Sequence, residues 1–436
     1  MVTVIGAGLA GCEAAWAAAE RGCAVRLYEQ KPLKYSPAHK KESFAELVCS
    51  NSFKAARVNS AAGLLKEEMR QLGSLTLRCA AECTVDAGGA LAVDRDIFSS
   101  LVTERIRSHP LIEVVHEEVT AVPDSAEPVI IATGPLTEGA LAEDIERLTG
   151  GMLHFHDAAA PIVSAESIDM GIAFFASRYG RGETDEGDYI NCPFNKEQYE
   201  AFHTVLINAE SAPLHEFEKS SRDDFKVYEG CMPIEVLAKR GADAVRYGAM
   251  KPVGLTDPAT GHRPWAAVQL RRENSSGTLY NIVGFQTNLK FGEQKRVFSM
   301  IPGLGNAEFV RYGVMHRNSF IDSPRLLSPD FSFRGRPELF FAGQMTGVEG
   351  YMESAASGII AGINAAGRRL ILPPVTMIGA LAGYISDESV SDFQPMGANM
   401  GILPPLSENI RDKAKRYQAL ADRSLEALRP LIQYTR

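Results

Sequence analysis

The chain has 436 residues, too many for one compact core, so two domains are expected. Hydrophobic residues at 45% and charged residues at 23% exclude a disordered or fibrous chain. A net charge of −9 argues against general nucleic-acid binding, so such a partner would need a local basic patch.

The first segment reads strand, glycine turn, helix, strand, acidic residue. Met1 to Ile5 is a short β-branched run, and Gly6-Ala7-Gly8-Leu9-Ala10-Gly11 follows it as G-x-G-x-x-G. Alanine-rich Cys12 to Arg21 predicts a helix ended by Gly22, and Ala24 to Tyr28 predicts a strand leading to Glu29. In this context Gly6 permits the turn, Gly8 lets a pyrophosphate approach, and Gly11 lets helix and strand pack closely. The helix N-terminus offers free N–H groups to phosphates. Glu29 is placed to accept hydrogen bonds from a ribose diol. A glycine-rich turn with no ligand is the bland alternative, and the complete context favours a dinucleotide. The opening stretch lacks a basic flank and contains Glu13, so it reads as neither signal peptide nor membrane span. Seven cysteines without disulfide or zinc-ribbon spacing then read as reduced thiols of a cytoplasmic enzyme with no metal.

Residues 30–60 read as loop, with Lys31, Lys34, Lys40 and Lys41 ahead of Cys49. Helices are expected at 63–72 and 94–107, and short strands at Ile112–Val115 and Val119–Val122. Pro128 to Ile131 reads as a buried parallel strand ending in Ala132-Thr133-Gly134. From about 150 the pattern changes to short strand-like runs, aromatic residues and turns, including Tyr189–Cys192 and Leu279–Phe285. We assign 151–304 to an inserted α+β domain, with 1–150 and 305–436 forming one discontinuous domain. Pro337 to Phe341 predicts another buried strand, running into Ala342-Gly343-Gln344 and then Gly350-Tyr351. A helix is expected from Glu353 to Leu370. Residues 411–436 hold seven Lys or Arg against three Asp or Glu, with Arg411, Lys413, Lys415 and Arg416 crowded together. These four are the candidate RNA contacts, unless they are only a solvated face.

The glycine turns after three strands lie where an open α/β sheet binds ligands. A last helix aimed at a flavin ring would stabilise its anionic reduced form. The expected fold is therefore α/β, a Rossmann-type FAD-binding domain with an inserted α+β domain. NAD as the only dinucleotide is the competing reading.

Several longer motifs carry a resemblance. Gly6 to Trp16 reads GAGLAGCEAAW, Phe44 to Ser52 FAELVCSNS, and Gly88 to Arg95 GGALAVDR. Glu229 to Glu235 reads EGCMPIE, Met250 to Leu255 MKPVGL, Arg311 to Asn318 RYGVMHRN, and Phe341 to Tyr351 FAGQMTGVEGY. Over nearly the whole chain these resemble the folate- and FAD-dependent tRNA (uracil-5-)-methyltransferase family, a relative of the GidA flavoproteins. FAELVCSNS, EGCMPIE and GVMHRN distinguish the two. Departures are mild: Ala249 stands where a proline is expected, and Phe194 where a methionine is expected.

The resemblance implies that a methylene unit passes from 5,10-methylenetetrahydrofolate to C5 of the T-loop uridine of tRNA. Reduced FAD supplies electrons, and NADPH or NADH reduces the flavin. The chemistry needs a thiolate to add to uracil C6, making C5 nucleophilic, and a base to remove the C5 proton. Two cysteines suit it. Cys231 precedes Pro233 and the helix-like run Ile234 to Lys239, near a helix N-terminus that acidifies a thiol. Cys49 lies in a polar loop. The resemblance implies Cys231 as the C6 nucleophile and Cys49 as the partner thiol in proton removal, with the roles exchangeable. Cys12, Cys23, Cys79, Cys83 and Cys192 read as small buried hydrophobes. Tyr351 is either a ring that stacks on flavin or pterin or a core tyrosine. His316 and Arg317 near the third turn are as readily structural as catalytic. The rival readings are the same chemistry on a ribosomal RNA uridine and a flavin oxidoreductase using the two thiols as a redox pair.

Overall fold

A computed structural model describes residues 1–180, 187–212 and 232–435, apart from the side chains of 155–157, 316, 317 and 433–435. Its centre is a six-stranded sheet in the spatial order Ser332–Phe333, Arg336–Phe341, Val129–Ile131, Val2–Ile5, Val25–Glu29, Ile112–His116. Every pair is parallel except the edge pair Ser332–Phe333 with Arg336–Phe341. Val4 lies between Leu27 and Ile130, and all three are fully buried. Such doubly covered strands read as continuous apolar runs rather than alternations. The strand order reverses beside Val2–Ile5. Later strands add on one side as far as Ile112–His116 and on the other from Val129, so the Gly6 turn sits at a topological switch point.

The opening helix (Leu9–Ala19) packs along the late helix (Tyr351–Ala365) through small residues. A Cβ on Gly358 would come within 2.1 Å of the Ala10 carbonyl oxygen, so only glycine allows this approach. The late helix ends at Ala365, five residues before the expected Leu370. There the Asn364 side chain bonds both the N–H and the carbonyl of Leu370, which folds the chain back. Val119–Val122 is not a strand, because the Val122 N–H donates to the Asp144 carboxylate at 2.7 Å instead of to a neighbouring strand. The other expected elements of this half appear within a few residues: Ala61–Gln71, Arg95–Ser108 capped by Asp94, and Ile112–His116.

A second six-stranded sheet is antiparallel. Its order is Phe174–Phe175, Tyr189–Phe194, Ala266–Arg272, Leu279–Ile282, Ile162–Ser164, Phe309–Arg311. It has its own apolar core, running from Val163 to Ala307, against which Lys196–Ile207 and Phe291–Phe298 pack. The chain passes between the two sheets along the ribbon Leu153–Ala158 paired with Met315–Phe320. Among the described residues no helix is long and apolar enough to cross a membrane.

Candidate active site

The cleft begins where Val2–Ile5 ends. Gly6 has φ +98°, and a Cβ there would sit 2.6 Å from the Ala132 carbonyl oxygen. A Cβ on Gly11 would lie 1.8 Å from the Gly6 oxygen, so the helix rests directly on its own turn. Gly8 differs from both. Its backbone is extended (φ −74°, ψ −173°), and an added Cβ would meet no atom within 4 Å. The protein leaves space at the helix N-terminus that its own packing does not require. Glu29, buried at the end of the next strand, accepts the Ala7 N–H at 3.0 Å and the Lys31 N–H at 2.9 Å. Each carboxylate oxygen keeps a lone pair for a further donor.

One continuous cavity joins these groups. Gly6 to Ala10, Glu29, Ala132 to Gly134, Gly343, Gln344 and Tyr351 all line it. Gly11 packs beneath the turn instead of lining the cavity, and Gly350 faces the neighbouring one. The late helix starts at Tyr351, so its positive end points into the far end of the cleft.

A second cavity opens beyond Tyr351, lined by Cys49, Ser50, Lys54, Arg271, Asn318 and Glu353 among others, and sharing Val48, Pro135, Leu136, Gln344 and Tyr351 with the first. The Tyr351 hydroxyl accepts the Cys49 N–H at 2.8 Å and the Ser50 N–H at 3.2 Å. Burial pushes this phenol above its ordinary range, so it stays neutral. Three arginines hold the same loop. Arg95 donates to the Leu47 carbonyl at 2.6 Å, and Arg311 donates to the Val48 carbonyl. Arg271 donates to Ser50 Oγ at 2.9 Å and to Asn51 Oδ1 at 3.0 Å. Glu273 pairs with Arg95 and is the only carboxylate in this group. Of the three arginines only Arg271 lines the cavity itself, beside Lys54, which pairs with Glu353 at 3.2 Å, and Glu349. Burial lowers the Arg271 and Arg311 guanidinium pKa values, as expected where cations crowd together away from water. None of the three arginines was a candidate from sequence alone. The available signal was a pair of arginines ending an apolar strand, Ala266–Arg272, where solvated residues are expected.

Cys23 is half-buried, as Cys49 is, rather than the buried hydrophobe expected, whereas the other four described cysteines are buried. Burial pushes the Cys12 thiol well up, Cys79 to about 11, and Cys83 and Cys192 to about 12. Such thiols are inert structural groups. Cys231 lies outside the described residues, and Pro233 caps the short helix Ile234–Ala238 that follows it. His316 and Arg317 lie on the connecting ribbon, and their side chains are outside the described set. Among the described residues no group of three or more His, Cys, Asp or Glu could hold a metal ion.

Arg411, Lys413, Lys415 and Arg416 are all exposed at the start of the C-terminal helix (Lys413–Thr435). Lys413 and Arg416 lie 5.4 and 5.7 Å from the Tyr417 ring centre. Cations at a helix N-terminus oppose its dipole, so helix stability does not explain them. The Lys31 to Lys41 cluster is mostly paired: Lys31 is buried against the Ser43 carbonyl, Lys34 bonds Glu118 at 2.7 Å, and Lys41 pairs with Asp96.

A cleft of this form suits an extended dinucleotide, its ribose end at Glu29 and its ring end at Tyr351. That defines the class: a Rossmann-type flavoprotein with a thiol-bearing loop beside the ring end. Residues 1–371 match the family described as glucose inhibited division protein A, and the chain belongs to that family, on its methylenetetrahydrofolate–tRNA-(uracil-5-)-methyltransferase branch. The chain is 59% identical over 433 residues to the methylenetetrahydrofolate–tRNA-(uracil-5-)-methyltransferase TrmFO of Pelotomaculum thermopropionicum, covering 98% of this chain and 97% of that one. It is 56% identical over 438 residues to the enzyme of the same name from Enterococcus faecalis, covering 99% and 98%. Its fold is similar to that of Aquifex aeolicus GidA, with a TM-score of 0.70 at 17% identity, covering 99% of this chain and 73% of that one.

Proposed function

We propose that the chain methylates C5 of a tRNA uridine, taking its one-carbon unit from 5,10-methylenetetrahydrofolate and using FAD. The observation that carries this reading is Tyr351, which lines both cavities and holds the Cys49 loop by two hydrogen bonds. It joins the dinucleotide cleft to a thiol-bearing pocket that Arg271 lines, the pairing this chemistry requires. The near-full-length identity to relatives of that name supports the substrates.

Gly6 to Ala10 with Thr133 and Gly134 would hold the pyrophosphate, Glu29 the ribose, and Gly343, Gln344 and Gly350-Tyr351 the flavin end. When bound and reduced, FAD supplies the hydride that completes the methyl group. The protein's own task is to activate the uracil. The Cys231 thiolate adds to C6, and the negative charge spreads to C5 and the adjacent carbonyl. Arg271, which lines the cavity, stabilises that charge, while Arg95 and Arg311 hold the loop by the Leu47 and Val48 carbonyls. C5 bonds the methylene carbon, and the Cys49 thiolate removes the C5 proton. The bond from that carbon to its folate nitrogen breaks to release tetrahydrofolate and leave an exocyclic methylene, and the C6–S bond breaks as a hydride completes the methyl group. On this reading NADPH or NADH would supply the reducing equivalents, the target uridine would lie in the T-loop, and the reaction would take place in the cytoplasm.

The test is incubation of the purified protein with labelled methylenetetrahydrofolate, NAD(P)H and either tRNA or ribosomal RNA. Labelled 5-methyluridine in tRNA is expected. Label only in ribosomal RNA, or RNA-independent turnover alone, would overturn the assignment.

A further inference from the structure

The segment 239–263 has five Lys or Arg against two Asp in a chain that is acidic overall. The two acids are already engaged. Asp243 pairs with Arg246 at 3.4 Å, and the buried Asp257 carboxylate accepts from the Ala259 N–H and the Thr260 hydroxyl. Aromatic rings are interleaved with the cations. The Arg246 guanidinium lies 3.9 Å from the Trp265 ring centre and donates from Nε to the Trp265 carbonyl at 2.9 Å. Lys196 lies 5.6 Å from the same ring. Arg246 is also 5.4 Å from the ring of Tyr247, which is 70% exposed. Lys251 and Arg263 are exposed on the same stretch. Arg246 is itself mostly covered and Lys196 pairs with Glu200 at 3.7 Å, so Tyr247, Lys251 and Arg263 are the groups this surface presents to solvent.

We propose that this surface, built from Lys196, Arg246, Tyr247, Lys251, Arg263 and Trp265, binds the RNA arm that flanks the target uridine. The inference rests on the tRNA reading above and adds a contact region to it. Alternating rings and cations match the alternating bases and phosphates of an RNA strand, whereas an acidic protein surface would need the cations alone. The position fits as well. Trp265 immediately precedes the strand Ala266–Arg272, and Arg271 near its far end holds the Cys49 loop. Six residue steps of about 3.3 Å put the patch roughly 20 Å from that loop. The surface is therefore too far away to touch the target base and is placed to hold the structure that presents it.

The test compares wild type, Lys251→Glu with Arg263→Glu, and Tyr247→Ala. The readouts are tRNA affinity as a function of salt, methylation kinetics, and flavin reduction without RNA. The double reversal should weaken affinity at least 10-fold near 0.1 M salt and flatten the log–log salt slope by about one for each phosphate no longer neutralised. Tyr247→Ala should weaken affinity by about 5- to 100-fold and leave the slope unchanged, because stacking releases no counterions. In both variants KM for RNA should rise, with kcat at saturating RNA and flavin reduction unchanged. If wild type binds and methylates tRNA but the double reversal keeps wild-type affinity and slope, the proposal is wrong and the functional reading stands. A wild-type protein that binds no tRNA would overturn both.

Discussion

Gly8 and Gly11 occupy the same turn for different reasons, and one pair of substitutions separates them. Gly8 already has a backbone conformation open to any residue, and a side chain there would meet no protein atom. Gly8→Val should therefore cost the apoprotein at most about 1 kcal/mol, the usual scale of an N-cap change. The valine would instead occupy the space where a pyrophosphate meets the helix N-terminus. Losing two hydrogen bonds to a charged group, at roughly 1.5–3 kcal/mol each, weakens FAD binding by about 10²- to 10⁴-fold. Gly11→Ala reverses the pattern. Its methyl would sit 1.8 Å from the Gly6 oxygen. The turn and helix must move apart, at a cost of about 1–3 kcal/mol or more. The assay is the ratio of flavin to protein absorbance after purification, followed by thermal melts of the apoproteins. Gly8→Val should be colourless with a near-wild-type apo melt, and Gly11→Ala should melt earlier. A yellow Gly8→Val protein would refute the placement of the pyrophosphate. An apo melt lowered as far as that of Gly11→Ala would refute the claim that the space belongs to a ligand.

Other expectations follow from single side chains. Tyr351→Phe removes the acceptor of two N–H groups, a loss of about 1–3 kcal/mol in local order; methylation should drop at least about tenfold with FAD retained, and an unchanged kcat would remove Tyr351 from the positioning role. Burial raises the Glu68 carboxyl to about 7, while two N–H groups of the helix Met377–Ser386 and the Ser424 hydroxyl bond to it. The folded state thus holds this proton more tightly than the unfolded chain, whose value is about 4.3. Its contribution to stability is complete below about pH 4 and is lost as pH rises to about 7, on the order of 3 kcal/mol in all. Urea midpoints at pH 5 and pH 8 should accordingly differ less in Glu68→Gln than in wild type, and equal differences would contradict the shift. Lys413→Glu with Arg416→Glu should weaken RNA affinity and flatten the salt slope by about one per phosphate released, without changing flavin reduction; wild-type values would leave that helix end as a solvated face.

The parts legible in the sequence were the local ones. The opening strand, its turn, the first helix and Glu29 lie within a stretch of about thirty residues, and each states its conformation through glycine spacing, alanine content or β-branching. Val129–Ile131 and the buried end of the later strand, Leu339 to Phe341, were legible because strand positions covered on both faces are apolar without alternation. Where periodicity was weak, tertiary bonds decided the outcome. Asp144 took the N–H that a strand at Val119–Val122 would have used, and Asn364 ended the late helix early. Neither bond could be foreseen from neighbouring residues.

The candidate site was only half legible, for a physical reason. Cys49 stood out because its loop is polar, but its surroundings come from remote parts of the chain. Arg271 reaches Ser50 across 221 residues, Arg311 reaches Val48 across 263, and Tyr351 reaches Cys49 across 302. The first two side chains belong to the antiparallel sheet and the third to the late helix of the parallel one. The loop is thus clamped from both sheets, and neither half of the protein alone has a complete pocket. This arrangement couples occupancy to chemistry. A ligand that orders the N-terminus of the late helix also fixes Tyr351, and Tyr351 fixes the backbone at Cys49. The phenol oxygen of Tyr351 ties the backbone at Cys49 and Ser50 to the N-terminus of the late helix, so the thiol is presented in register with whatever fills the ring end. That coupling is the physical reason to expect Tyr351→Phe to reduce methylation while the cofactor stays bound.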